Sequence, residues 1–225
     1  AVLSVNGAVS KLSAGEYVIV DGSEGVVIDE PDDAVIQEYN TKRINFLKER
    51  KELENFRGKA TKALSGEEYE LFCNIGKPED ASQVLLNDGE GIGLFRTEFL
   101  FMGASKLPNE EEQFAAYKQA AEIMAGKSVI IRTLDVGGDK DIPYLGLEKE
   151  DNPFLGFRAV RYCLKNEDVY KVQLRALLRA SAFGDVKIMI PLVTCVEEVR
   201  AVKALVKKLM AELDAEGRKY NKDIE

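Results

Sequence analysis

Two arginine–threonine pairs, Arg96-Thr97 and Arg132-Thr133, each close an apolar run, "GIGLF" before the first and "SVII" before the second. A guanidinium is always charged and is costly to bury without a partner. Its planar fork matches carboxylate or phosphate oxygens. Two such forks at the ends of successive apolar runs describe a receptor for a small, multiply charged anion. The stretch "DVGGDK" adds Gly137 and Gly138, whose backbone admits close approach of an oxyanion, and the cation Lys140. The stretch "NPFLGFRAVR" adds Arg158, with Arg161 one helical turn later. A second reading competes: Arg96 pairs with Glu98 or Asp135 and only ties the fold together. The residues alone leave both open. Arg161 reads as structural. Asp135, Asp139 and Asp141 read as carboxylates that orient the arginines or stay solvated, with metal binding as the alternative.

Composition narrows the chemistry. Among 225 residues there is no histidine, so the usual acid–base group and phosphate acceptor is missing. Cys73, Cys163 and Cys195 have no CxxC spacing and read as reduced thiols of a cytoplasmic protein, not as nucleophiles. "GEGIG" is not a dinucleotide-binding fingerprint, and no Walker A lysine motif occurs; Gly91 and Gly93 read as sites of close strand packing. With 39 acidic against 31 basic residues, a formal net charge of -8 argues against nucleic-acid binding. No apolar run approaches the ~20 residues of a membrane-spanning helix, and no signal peptide opens the chain. The first residue is Ala1 rather than methionine, and the expectation is a piece of a larger protein.

The elements that must position these residues follow from periodicity. Tyr17–Val20 and Gly25–Ile28 read as two strands around the turn Asp21-Gly22-Ser23-Glu24. Pro31-Asp32-Asp33 starts a charged helix running to about Leu64, with Tyr39, Phe46 and Leu53 as a narrow apolar stripe. After Gly66 the rhythm becomes strand–helix alternation. Strands are expected over 69–75, 91–96, 128–135 and 186–193. Helices are expected over 78–86, 108–125, 156–164, 168–183 and 196–216. Nearly all-apolar strands between helices imply a parallel α/β sheet. A (β/α)8 barrel and a doubly wound sheet both fit, and about four strands make roughly half a barrel.

At "GIGLFRTEFLFM", "IRTLDVGGDKDIPYL" and "NPFLGFRAVR", supported by "LPNEEEQFAAYK", "LLRASAFG" and "IMIPLVTCVEEVR", the sequence resembles Enzyme I of the bacterial sugar phosphotransferase system, the phosphoenolpyruvate-protein phosphotransferases. The resemblance implies an α/β fold: a partial (β/α)8 TIM barrel, about half, preceded by a long linker helix and a short β segment. It implies that residues 1–30 are the C-terminal strands of a swivelling phosphohistidine domain, 31–65 the linker helix, and 66–225 the N-terminal half of the phosphoenolpyruvate-binding barrel. It implies that Arg96 and Arg132 grip the phosphate of phosphoenolpyruvate, and that Arg158 and Lys140 line the same pocket. The phosphorylated histidine, the cysteine acid and the ligands for Mg2+ would all lie outside this chain, leaving no catalytic or metal-binding residue within it. The implied partners are the phosphocarrier protein HPr, through the missing N-terminal domain, and a second copy through the barrel, without nucleic acid or membrane insertion. The intact enzyme would act in sugar transport, and this segment alone would be inactive. Two alternatives accompany that reading: a fragment of a pyruvate phosphate dikinase or phosphoenolpyruvate synthase, and a non-catalytic association module.

Overall fold

The computed structural model describes residues 1–137, 142–148 and 150–225, without the side chain of Val9, in two units, Ala1–Lys59 and Ala60–Glu225. The first unit has a short helix α1 (Ala8–Lys11), an antiparallel hairpin of β1 (Val18–Asp21) and β2 (Val26–Asp29), and a long helix α2 (Asp33–Glu54). The Asp21 carboxylate accepts from the backbone N–H groups of Glu24 and Ser23, which closes the hairpin turn and holds its pKa below the ordinary value. Asp32 caps α2 by accepting from the Val35 N–H at 2.8 Å. No residue of α2 is buried, and Phe46 and Leu53 are exposed while Tyr39 is half-buried. The solvated helix expected from its charge pattern is therefore present, but it is shorter than 31–65. It ends at Glu54, and Gly58 turns the chain with φ +74°.

The second unit opens with a two-residue hairpin, β3 (Thr61–Lys62) against β4 (Glu68–Tyr69), where the sequence reading continued the helix or began a strand. Then come β5 (Phe72–Ile75), α3 (Asp80–Leu86), β6 (Gly91–Arg96), α4 (Glu98–Met102), α5 (Glu110–Met124) and β7 (Val129–Arg132). A 3-10 turn at Pro143–Leu145 precedes α6 (Ala159–Lys165), α7 (Glu167–Ala180), β8 (Val186–Met189) and α8 (Val196–Ala215). Asn109 and Glu112 form a capping box at the start of α5.

The four strands of the main sheet among the described residues are parallel and lie in chain order, β5-β6-β7-β8. A doubly wound sheet reverses its strand order at a switch point; this one does not. Helices α3, α5, α7 and α8 contact one another in sequence, as the outer ring of a barrel does. The architecture is that of a partial α/β barrel. Ile92, Phe95, Val129, Ile131 and Val186 are buried. Phe95 meets Tyr117 of α5 edge-on, which places Phe95 and its register partner Ile131 on the helix-covered face, and a register shift between Ile92 and Phe95 keeps Ile92 opposite Val129. Leu94, Arg96, Ile130, Arg132, Lys187 and Met189 are half-buried. Gly91 and Gly93 permit close packing as expected: a Cβ on Gly91 would come within 2.8 Å of the Phe72 ring.

Candidate functional site

Arg96 and Arg132 end adjacent parallel strands and are register partners, as are the preceding Phe95 and Ile131. Side chains alternate along a strand. With Phe95 and Ile131 turned toward the helices, both arginines project from the other face of the sheet at its carboxyl edge. In parallel α/β folds, that edge is where ligands bind.

Their surroundings differ. The Arg132 guanidinium donates to Glu98 Oε1 at 2.6 Å and pairs with Asp135 Oδ2 at 3.1 Å. Both acids are nearly buried. Arg158 immediately precedes α6 and is 2% exposed. Its Nε and one terminal nitrogen reach Asp135 Oδ1 at 3.0 and 2.9 Å, and its guanidinium stacks on the Phe154 ring. Arg96 stacks on the Phe99 ring at 4.9 Å, and among the described residues no carboxylate lies within ion-pair distance of it. The Nε atoms of both Arg96 and Arg132 are buried without a hydrogen-bond acceptor among the described residues. These five side chains thus carry three guanidiniums against two carboxylates. Orphaned buried donors are costly, and an anion seated between the strand tips would satisfy them.

Of the residues expected at the site, Arg96, Arg132 and Arg158 lie at the same edge, joined through Asp135 for the latter two. Lys140 lies outside the described residues, as do Gly138, Asp139 and Asp141. Gly137 packs against Arg158. A Cβ there would meet Arg158 Cβ at 2.9 Å and Cδ at 3.0 Å, so this glycine makes room for the Arg158 side chain. Arg161 is structural, donating to the carbonyls of Gly156 and Phe154. Cys163 is buried, its thiol pushed up by burial; an inert core thiol results.

Sequence reasoning missed a layer of buried polar groups behind the arginines. The Thr97 hydroxyl donates to the Arg132 carbonyl at 2.7 Å, and Gln173 of α7 reaches both Thr97 and the Leu134 N–H. The signal was present. Tyr170, Leu174 and Leu177 form an apolar stripe on α7, and Gln173 interrupts it. A buried amide on such a stripe requires partners.

A family profile described as "PEP-utilising enzyme, PEP-binding domain" matches residues 50–225. Over 225 residues the chain is 48% identical to the phosphoenolpyruvate-protein phosphotransferase of Staphylococcus carnosus (strain TM300), 47% to that of Priestia megaterium and 46% to that of Bacillus subtilis (strain 168). Each alignment covers 100% of this chain but 39%, 39% and 40% of the relatives, so the chain spans about two fifths of the length of the curated relatives it matches.

Proposed function

The chain belongs to the PEP-utilising enzymes, by a match to their PEP-binding domain that covers most of its length, and we propose that it supplies part of the phosphoenolpyruvate site of a phosphoenolpyruvate-protein phosphotransferase. In this reading residues 66–225 are the first half of the binding barrel, 31–65 the linker, and 1–30 the closing strands of a phosphohistidine domain. Phosphoenolpyruvate is the phosphoryl donor. A histidine beyond this chain attacks phosphorus in line, the enolate of pyruvate leaves, and the phosphoryl group passes on to HPr for sugar uptake. The enzyme works in the cytoplasm as a homodimer joined through the barrel.

Phosphoryl transfer leaves little covalent chemistry to the protein beyond positioning and charge stabilisation. Arg96 and Arg132 hold the phosphate oxygens, and Arg158 and Lys140 complete the lining. The observation that carries this assignment is the cation excess: Arg96 stands in register with Arg132 and meets no carboxylate among the described residues. Mg2+ would add neutralising charge when bound. Among the described residues no cluster of three potential metal ligands occurs, and Glu98 and Asp135 engage arginines. Calorimetric titration of the full-length enzyme with phosphoenolpyruvate and Mg2+ tests the assignment. Arg96→Gln should weaken binding at least tenfold, and unchanged affinity would remove Arg96 from the site.

A further inference from the structure

We propose that Gln173 is a positioning residue that sets the spacing of the two strand-tip arginines. The inference rests on the reading of Arg96 and Arg132 as a phosphate clamp. Gln173 is 1% exposed on α7. Its Oε1 accepts the Leu134 N–H at 2.8 Å. Its Nε2 donates to Thr97 Oγ1 at 3.2 Å and to Tyr117 Oη at 3.1 Å. Thr97 follows Arg96, and Leu134 lies two residues beyond Arg132. One side chain therefore holds the Leu134 backbone N–H past Arg132 and the Thr97 hydroxyl next to Arg96.

The direction of every bond in this network is fixed by its neighbours. Thr97 spends its proton on the Arg132 carbonyl at 2.7 Å, so its oxygen faces Gln173 as an acceptor. Tyr117 spends its proton on Gln113 Oε1 at 3.1 Å, and Gln113 Nε2 donates to the Pro108 carbonyl at 2.9 Å. Gln173 must then present a donor to two hydroxyl oxygens and an acceptor to one N–H. Only an amide does both. The place is equally specific. The Thr133 N–H still bonds to Met189 on β8, and the next amide, Leu134, bonds to Gln173. The side chain takes over where the sheet ladder stops, which is where the arginines must be held. A buried, fully satisfied network rigidifies what it joins, and a displacement of about 1 Å can cost about a hundredfold in rate.

The test measures kcat and KM for phosphoenolpyruvate in the full-length enzyme, with melting curves for every variant. Gln173→Leu should lower kcat/KM at least tenfold, mostly through kcat, at a temperature where circular dichroism shows it folded. Tyr117→Phe removes a hydroxyl from the same network without touching the strand tips. It should lose thermal stability yet keep kcat/KM within about threefold. Should Gln173→Leu not fold, Gln173→Glu decides. Its carboxylate still accepts from Leu134 but faces two hydroxyl oxygens, and protonation restores a donor. Its kcat/KM relative to wild type should therefore rise as pH falls from 8 to 6. Activity of Gln173→Leu within threefold of wild type, a flat pH ratio for Gln173→Glu, or a Tyr117→Phe loss that scales with its stability would each overturn the inference. Arg96→Gln separates the two claims. If it retains wild-type kcat/KM, the clamp falls and the inference with it. If Arg96→Gln loses activity while the Gln173 variants do not, only the inference falls.

Discussion

Two arginine–carboxylate clusters in the second unit are built on opposite charge ratios. On α7, Arg175 and Arg179 meet four acids. Arg175 reaches Glu110 at 2.7 Å, Glu216 at 2.8 Å and Glu212 at 3.5 Å. Arg179 reaches Glu110 at 2.6 Å and takes both oxygens of Glu111 at 2.7 and 3.0 Å, while stacking on Phe114. This cluster staples α5, α7 and α8. Among the described residues at the strand tips the ratio inverts, with Arg96, Arg132 and Arg158 beside Glu98 and Asp135. A chain that encloses an arginine for stability surrounds it with acids, because an unmatched buried charge is expensive. A chain that leaves a cation in excess at a strand end retains a charge for something that arrives later.

The largest effect should come from the tip cluster and appear in rate. Arg96→Gln in the full-length enzyme should slow phosphoryl transfer from phosphoenolpyruvate about a thousandfold or more, by analogy with other arginines that stabilise a transferring phosphoryl group. Its melting temperature should stay within what about 1 kcal/mol produces, because no ion pair is broken. Near-normal turnover with a lowered melting point would make Arg96 a second staple and erase the contrast.

Arg179→Met is the mirror experiment. The variant keeps much of the apolar contact with Phe114 and deletes the fork that joins Glu110 and Glu111. Because Glu111 is largely exposed, the loss should be well below that of removing one partner from a buried pair. Denaturant unfolding should report it, while kcat stays within about twofold of wild type.

The difference between the clusters explains what could be read beforehand. The strand-tip arginines were legible because each closes an apolar run, and period-2 and period-3.6 patterns located the runs. The sequential order of β5 to β8 was not, since propensity carries no information about which strand pairs with which; that order and the sequential contacts of the helices decided between barrel and doubly wound sheet. Helix α2 was overextended because residues 55–64 keep its polar composition, while the helix itself stops at Glu54 and the chain turns at Gly58. Glu98 was visible as a partner for Arg96 but pairs with Arg132 instead, 34 residues away in sequence. The network around Gln173 stayed hidden for the same reason: its bonds span 39 and 76 residues.

A smaller effect separates the clusters by pH. In the staple, the side-chain hydrogen bond from Arg179 lowers the Glu111 pKa below its ordinary 4.5, and that from Arg175 does the same for Glu216. Each depressed carboxylate contributes stability that is fully present above the unfolded value and fades as pH falls through the folded one. The gap in melting temperature between wild type and Arg179→Met should therefore be constant from pH 7 to 5 and narrow below about pH 4.5. A gap that persists at pH 3 would mean that packing against Phe114, not charge, supports the staple.

The smallest expected effect lies beneath Arg96 itself. Phe99 begins the turn after the strand tip, and its ring carries the Arg96 guanidinium at 4.9 Å. The same ring covers Gly76, where a Cβ would stand 3.1 Å from it, so the platform is seated against the end of β5. A partly exposed cation–π contact is worth about 0.5–1 kcal/mol. Phe99→Leu retains an apolar cover but loses the quadrupole, and a two- to fivefold weaker affinity for phosphoenolpyruvate should follow, with kcat nearly unchanged once the site is filled. If affinity does not move, the ligand orients Arg96 unaided. The excess charge would then explain the site by itself, without the aromatic surface that holds it in place.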